Sequence, residues 1–188
     1  DDPNATVVID VGGQTGLVAT NNGDGTWTLP DNTINPALAE GSYDVTVTTT
    51  DVAGNVDNNT ISNALVIDTT APVPTITVDP VTADNIINAS EAGGNVNVTG
   101  TVSGEFNAGD TVTVTVNGNT YISTVTATGL FTVSVSGSDL AADTTADISV
   151  TTTDSAGNVG GGASTHTYVV DVTAPAPTIT INTVAGDN

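Results

Sequence analysis

The groups in this chain able to do chemistry are almost all carboxylates and carboxamides, and they recur at fixed places. Asp154 opens the turn DSAGN (Asp154 to Asn158), and Asp51 opens the matching turn DVAGN. Asp68 and Asp171 stand just before the proline-bearing stretches TTAP and VTAP. Asp79, Asp84, Asn85, Asn88 and Glu91 crowd one stretch, DPVTADNIINASE, while Asp139 and Asp143 share GSDLAAD. Hard oxygen donors at these spacings suit Ca²⁺, which takes six to eight oxygens at about 2.3–2.6 Å.

Each cluster also has a plainer reading. Asp154 could begin an ordinary Asx-type turn closed by Gly157-Asn158. The Asp79–Glu91 stretch could be a solvated loop with a helical turn capped by Ser90 or Asp84. For Asp139 and Asp143, with Asp31 in the matching loop of the first repeat, the metal reading is that they face the opposite pole and join the next linker's site. Asn22-Gly23-Asp24-Gly25 superficially resembles the start of an EF-hand loop but lacks the later Glu and flanking helices, so a plain turn is expected. His166 has no Cys or second His beside it, which argues against a transition-metal site.

The charge balance sharpens the metal reading. The 188 residues carry 21 Asp and Glu, one His, and no Lys or Arg, for a formal charge of −21. With no cationic partner, the carboxylates must be solvated, bonded to N–H groups, or neutralised by metal. At low salt they repel one another over a Debye length of roughly 10 Å. Nucleic acid and anionic membrane surfaces are excluded as electrostatic partners, since both need a basic footprint. No stretch reaches the roughly 20 apolar residues of a membrane-spanning helix. Catalysis also lacks its parts: no Cys nucleophile, no Lys or Arg for an oxyanion, and no second His for a base–orienter pair.

The elements that must position these acids follow from a repeat. Asp44 to Asn85 aligns without a gap to Asp147 to Asn188 at an offset of 103 residues, with TTTD, AGNV, TAP and PTIT kept intact. That period is too long for a solenoid turn and matches a whole β-sandwich domain. In the second repeat, strands are expected at Pro74 to Asp79, Asn95 to Ser103, Thr111 to Val116, Thr120 to Thr126, Leu130 to Ser136, Ala146 to Thr153 and Thr165 to Asp171. TVTVTV alternates strictly, and Asn117-Gly118 after it is a strong hairpin signal. Gly160-Gly161-Gly162 is expected between two strands, and Trp27 at a core edge.

Seven short strands in about 100 residues indicate an all-β chain of tandem immunoglobulin-like Greek-key β-sandwich domains, joined end to end by short stiff linkers. Domains are expected at 1–71 (incomplete or divergent at its N-terminus) and 72–175, with 176–188 as the first strand of a third repeat. Pro72 and Pro74 fix φ and stiffen the linker. If the loop before the last strand shares a pole with the incoming linker, Asp154 lies near Asp68.

TADNIINASEAGGNVNVTGTV (Thr82 to Val102), GDTVTVTVNGNTY (Gly109 to Tyr121), VSGSDLAAD (Val135 to Asp143) and the VTTTDSAGNVG and VVDVTAP motifs resemble the bacterial immunoglobulin-like extender repeats of giant RTX adhesins. Residues 1–40 match that pattern poorly. The resemblance implies a stalk of repeats holding ligand-binding domains away from a bacterial cell, stiffened by Ca²⁺ at and near the linkers, and exported by a type I system. Its linker-region calcium ligands would fall on Asp68, Asp154, Asp84 and Glu91, with Asp51 and Asp171 as repeat equivalents. Neighbouring repeats of the same chain would be the partners, at an extracellular bacterial surface. The alternative is an Ig-like module that itself binds a carbohydrate, protein or ice surface; the Thr111, Thr113, Thr115 row invites it, though β-propensity alone accounts for such rows.

Overall fold

The computed structural model describes residues 4–180. The chain divides into two compact units, Asp1–Thr70 and Ala71–Asn188. In unit 2, period-two alternation of Val and Thr builds two facing sheets. One holds β7 (Thr75–Val78), β9 (Asn95–Ser103) and β12 (Leu130–Ser136) in the order β12-β9-β7. The other holds β10 (Thr111–Val116), β11 (Asn119–Thr124), β13 (Thr145–Thr153) and β14 (Val159–Thr167) in the order β11-β10-β13-β14. A short parallel pair joins β8 (Ile86–Asn88) to β15 (Val169–Asp171).

The inward side chains form one core. Val98, Val112, Val114, Val135 and Leu140 are 0% exposed, and Phe131, Ile148 and Val150 are at most 2%. Burying each such side chain stabilises the fold by about 1.5–3 kcal/mol before chain entropy is set against it. Gly100 stands where it does because a Cβ there would strike the Phe131 ring and the Thr77 carbonyl. Asn117 (φ 49°) and Gly118 (φ 73°) make the tight turn between β10 and β11.

Unit 1 places β1 (Thr6–Val11), β2 (Gln14–Val18), β5 (Gly41–Thr50) and β6 (Val56–Ile67) in one sheet ordered β2-β1-β5-β6. A small hairpin of β3 (Thr20–Asn21) and β4 (Trp27–Thr28) completes it. This sheet repeats the β11-β10-β13-β14 sheet of unit 2. Among the described residues, unit 1 has no counterpart of β7 and β9. The result is visible in burial: Ile9, Val45 and Val47 are only half-buried, whereas Val112, Ile148 and Val150 at the matching positions are closed off.

Several expectations need correction. The three glycines are not between strands but inside β14, where Gly160, Gly161 and Gly162 pair with Thr152, Thr151 and Val150. A strand lies at Ile86–Asn88, and two short helices form at α1 (Ala89–Ala92) and α2 (Gly137–Ala142). The helical turn after β8 is capped by Asn88, not by Ser90 or Asp84. Of the expected opening strand of a third repeat, residues 176–180 have no regular structure and 181–188 lie outside the described residues.

Candidate metal-binding carboxylates

Asp154 sits in the turn between β13 and β14 and closes that turn on itself. Its backbone N–H donates to Asn158 O (3.1 Å), and Gly157 N–H returns to Asp154 O (3.3 Å). Asp154 Oδ1 accepts from the amides of Ala156 and Asn158 (both 2.9 Å), and Oδ2 accepts from Asn158 Nδ2 (2.9 Å). The Asn158 side chain, ahead of the backbone amides, holds the Asp154 carboxyl below the usual carboxylate range. Asp51 repeats the device in unit 1: Asn55 N–H reaches Oδ1 at 2.8 Å and Asn55 Nδ2 reaches Oδ2 at 2.6 Å. Asn55 lowers the Asp51 pKa in the same way. The Asx-type turn is therefore present in both units.

The Asp79–Glu91 acids do not converge. Asp79 Oδ2 accepts from Thr99 Oγ1 (2.7 Å). Asp84 Oδ1 accepts from Thr82 Oγ1 (2.9 Å) and Ile86 N–H (3.1 Å), and the Thr82 hydroxyl is the main reason its pKa falls. Glu91 Oε2 accepts from Asn88 N–H (3.0 Å), while Asn88 Oδ1 accepts from the amides of Ser90 and Glu91, a capping box that spends the glutamate on the α1 terminus. Asn85 Oδ1 accepts from Val81 N–H (3.1 Å) and lies 3.0 Å from His166 Nε2, so the lone histidine is tied to an amide. Asp24 in the EF-hand-like stretch accepts from Thr26 N–H (2.9 Å) and Thr26 Oγ1 (2.6 Å), a plain turn.

Asp139 and Asp143 are brought together, through the β10–β11 turn. Asn117 Nδ2 donates to Asp139 Oδ1 (3.1 Å) and Asn117 N–H to Asp143 Oδ2 (3.0 Å). Asn119 Nδ2 (2.9 Å) and the Tyr121 hydroxyl also donate to Asp139 Oδ2. Asp143 Oδ1 takes the Thr144 and Thr145 amides. Both acids are held below the ordinary carboxylate range, Asp139 first by Tyr121 and Asp143 first by the Asn117 amide.

Asp68 Oδ1 accepts from Thr70 N–H and Asp171 Oδ1 from Thr173 N–H, both at 3.1 Å, so the repeat equivalence extends to their bonding. Two acids that sequence reasoning missed accept from residues that follow Asp68. Glu40 Oε2 accepts from Thr70 Oγ1 (2.6 Å) and Thr69 Oγ1 (3.2 Å) in unit 1, and Glu105 Oε2 accepts from Val73 N–H (3.3 Å) in unit 2. Nothing in their local sequence marks them, since their partners lie about 30 residues away. Among the described residues, no group of three or more acidic or histidine side chains is placed to hold a metal ion. Trp27 borders a groove of ≈ 360 Å³ in unit 1 with Asp51, Asn55 and Asp57.

Residues 1–69 match the model of the bacterial Ig-like domain. The whole of an immunoglobulin-like domain from the M. primoryensis ice-binding adhesin is matched at 50% identity over 54% of this chain, with a TM-score of 0.53. The chain belongs to the bacterial immunoglobulin-like domain family. Two longer structures match both units. One, a Ca²⁺-stabilized adhesin that helps an Antarctic bacterium reach out and bind ice, is 42% identical over 92% of this chain and 41% of its own length, with a TM-score of 0.64. The other, from a 1.5-MDa bacterial ice-binding adhesin, is 36% identical over 92% of this chain and 55% of its own, with a TM-score of 0.60. This Ig-like chain thus spans about half or less of the two longer structures. Comparison with curated proteins yields no match. Among the described residues, no helix is long and apolar enough to cross a membrane.

Proposed function

We propose that these Ig-like units are extender repeats in the stalk of a large bacterial cell-surface adhesin, rigidified by Ca²⁺ bound at and near the linkers. The units are non-catalytic spacers that project a ligand-binding region from the cell, and the parent protein is exported by a type I route. The observation that carries this reading is the 42% identity over 92% of the chain to an adhesin described as Ca²⁺-stabilized. A charge of −21 supports it, because the chain has no Lys or Arg to offset that repulsion and a bound cation would.

The proposed ligands are Asp68, Asp154, Asp84 and Glu91, with Asp51 and Asp171 as repeat equivalents and Asp79, Asp139 and Asp143 as further candidates. Their hydrogen bonds to amides do not disqualify them. A carboxylate offers about four lone-pair sites, and amide donors leave room for a cation on the same group. Because ions that bind the folded state stabilise it by RT ln(1 + [Ca²⁺]/Kd), filled sites raise the melting temperature. Thermal unfolding in EDTA, in millimolar Ca²⁺ and in matched Mg²⁺ tests the proposal. A large upward shift specific to Ca²⁺ is expected; identical melting in all three removes the mechanism.

A further inference from the structure

Pro72 to Pro74 is not a free connector. Pro72 and Pro74 are buried and Val73 between them is 73% exposed, an alternation that runs on into Ile76, which is 8% exposed. The segment is laid down as the lead-in to β7, and what lies beneath it is β14. A Cβ on Gly160 would overlap the Pro72 carbonyl oxygen and stand 3.0 Å from its carbon; one on Gly162 would overlap the Pro74 carbonyl oxygen and stand 3.2 Å from its carbon. Residues 160 and 162 share a strand face by the two-residue period, so the two glycines open one continuous slot.

The segment's one backbone donor is also met. Proline has no N–H, so Val73 carries the sole backbone donor between Pro72 and Pro74, and Glu105 accepts it. A Cβ on Gly104 would stand 3.7 Å from Val73 O, an ordinary contact, so the close fit lies at Gly160 and Gly162. At the aligned positions of unit 1 stand Asp57 and Asn59, whose side chains would fill such a slot.

We propose that Gly160 and Gly162 form a seat that docks residues 72–74 onto unit 2 and fixes the direction in which the chain enters it, with no ion required. The seat stiffens the entry by steric fit, and so stands apart from the calcium reading.

The chain contains no Cys, which allows a nitroxide at Val73→Cys, with a second at Thr132→Cys on β12 as a control for the fold of unit 2. In EDTA, the Val73→Cys label is expected to be immobilised. Gly160→Val with Gly162→Val is expected to release it into fast motion while the Thr132→Cys spectrum stays unchanged. A Val73→Cys label that stays immobilised in that folded variant overturns the proposal. So does one that is mobile in EDTA without the glycine changes and slows only when Ca²⁺ is added. If the double variant unfolds, hydrogen exchange at the Val73 amide of the unaltered chain in EDTA decides: protection supports the seat, and exchange at the free-peptide rate overturns it.

Discussion

Asn158 grips Asp154 twice, by its backbone amide to Oδ1 and by its side-chain amide to Oδ2, each at 2.9 Å. Asn55 grips Asp51 in the same two ways. The pairing explains why AGN survives between the repeats: Gly157 and Gly54 take φ of 96° and 88°, which Gly adopts without strain, and Asn supplies the return donors.

That arrangement separates two roles of Asp154. Asn158→Ala removes the donors' side chain but leaves the carboxylate, so the melting temperature should fall by similar amounts in EDTA and in Ca²⁺. Asp154→Ala should lower it in EDTA and also shrink the Ca²⁺-induced rise. An undiminished rise in Asp154→Ala, read by scanning calorimetry, would remove Asp154 from the ligand set.

The repeats offer an internal comparison of burial. Ile148→Ala empties a closed core and should cost about 2–5 kcal/mol. Val45→Ala at the matching position of unit 1 trims two half-exposed methyl groups and should cost about 1 kcal/mol. Urea denaturation of the two variants checks the ordering; equal losses would mean that the inner face of unit 1 is better covered than its burial indicates.

Acid should weaken the fold through the carboxylates held below their ordinary range. The folded-state pKa values of Asp51, Asp84, Asp139, Asp143 and Asp154 are lowered from 3.8, so their stabilisation is present above about that pH and lost as pH falls through the lower folded values. In low salt without divalent ions, the urea midpoint should therefore drop as pH falls below 3.8. In about 1 M NaCl, where the Debye length is about 3 Å, the drop should remain, because hydrogen bonds at contact distance are not screened.

Tyr168 is 5% exposed and its hydroxyl has no hydrogen-bond partner among the described residues, a cost to the fold. Burial, with the Asp143 charge, pushes its pKa up to about 12. Tyr168→Phe keeps the ring and should stabilise unit 2 by about 1 kcal/mol, measured as a raised urea midpoint; a loss of stability would show that the hydroxyl is satisfied by ordered water.

Strands with a full alternation of side chains are legible in the residues alone. Asn95–Ser103, Thr111–Val116 and Leu130–Ser136 lie where Val recurs at every second place, apart from Gly100 and Phe131. The front half of β14 is not legible, because three glycines carry no alternation and only the ladder to β13 makes them a strand. β8 is hidden for another reason: three residues become a strand only through Val169–Asp171, some 80 places on. The site follows the same divide. The Asp154 turn can be read from five adjacent residues, whereas the bridge from Asn117 to Asp139 and Asp143 needs the folded sheet.

The half-covered inner face of unit 1 has a consequence for any melting experiment on this chain. Two units with such unequal cores are expected to unfold in separate transitions, which a single fitted midpoint would average. Trp27 is the only tryptophan and belongs to unit 1. Its emission therefore follows the looser unit alone, and the difference between a fluorescence trace and a calorimetric one isolates the transition of the unit with the closed core.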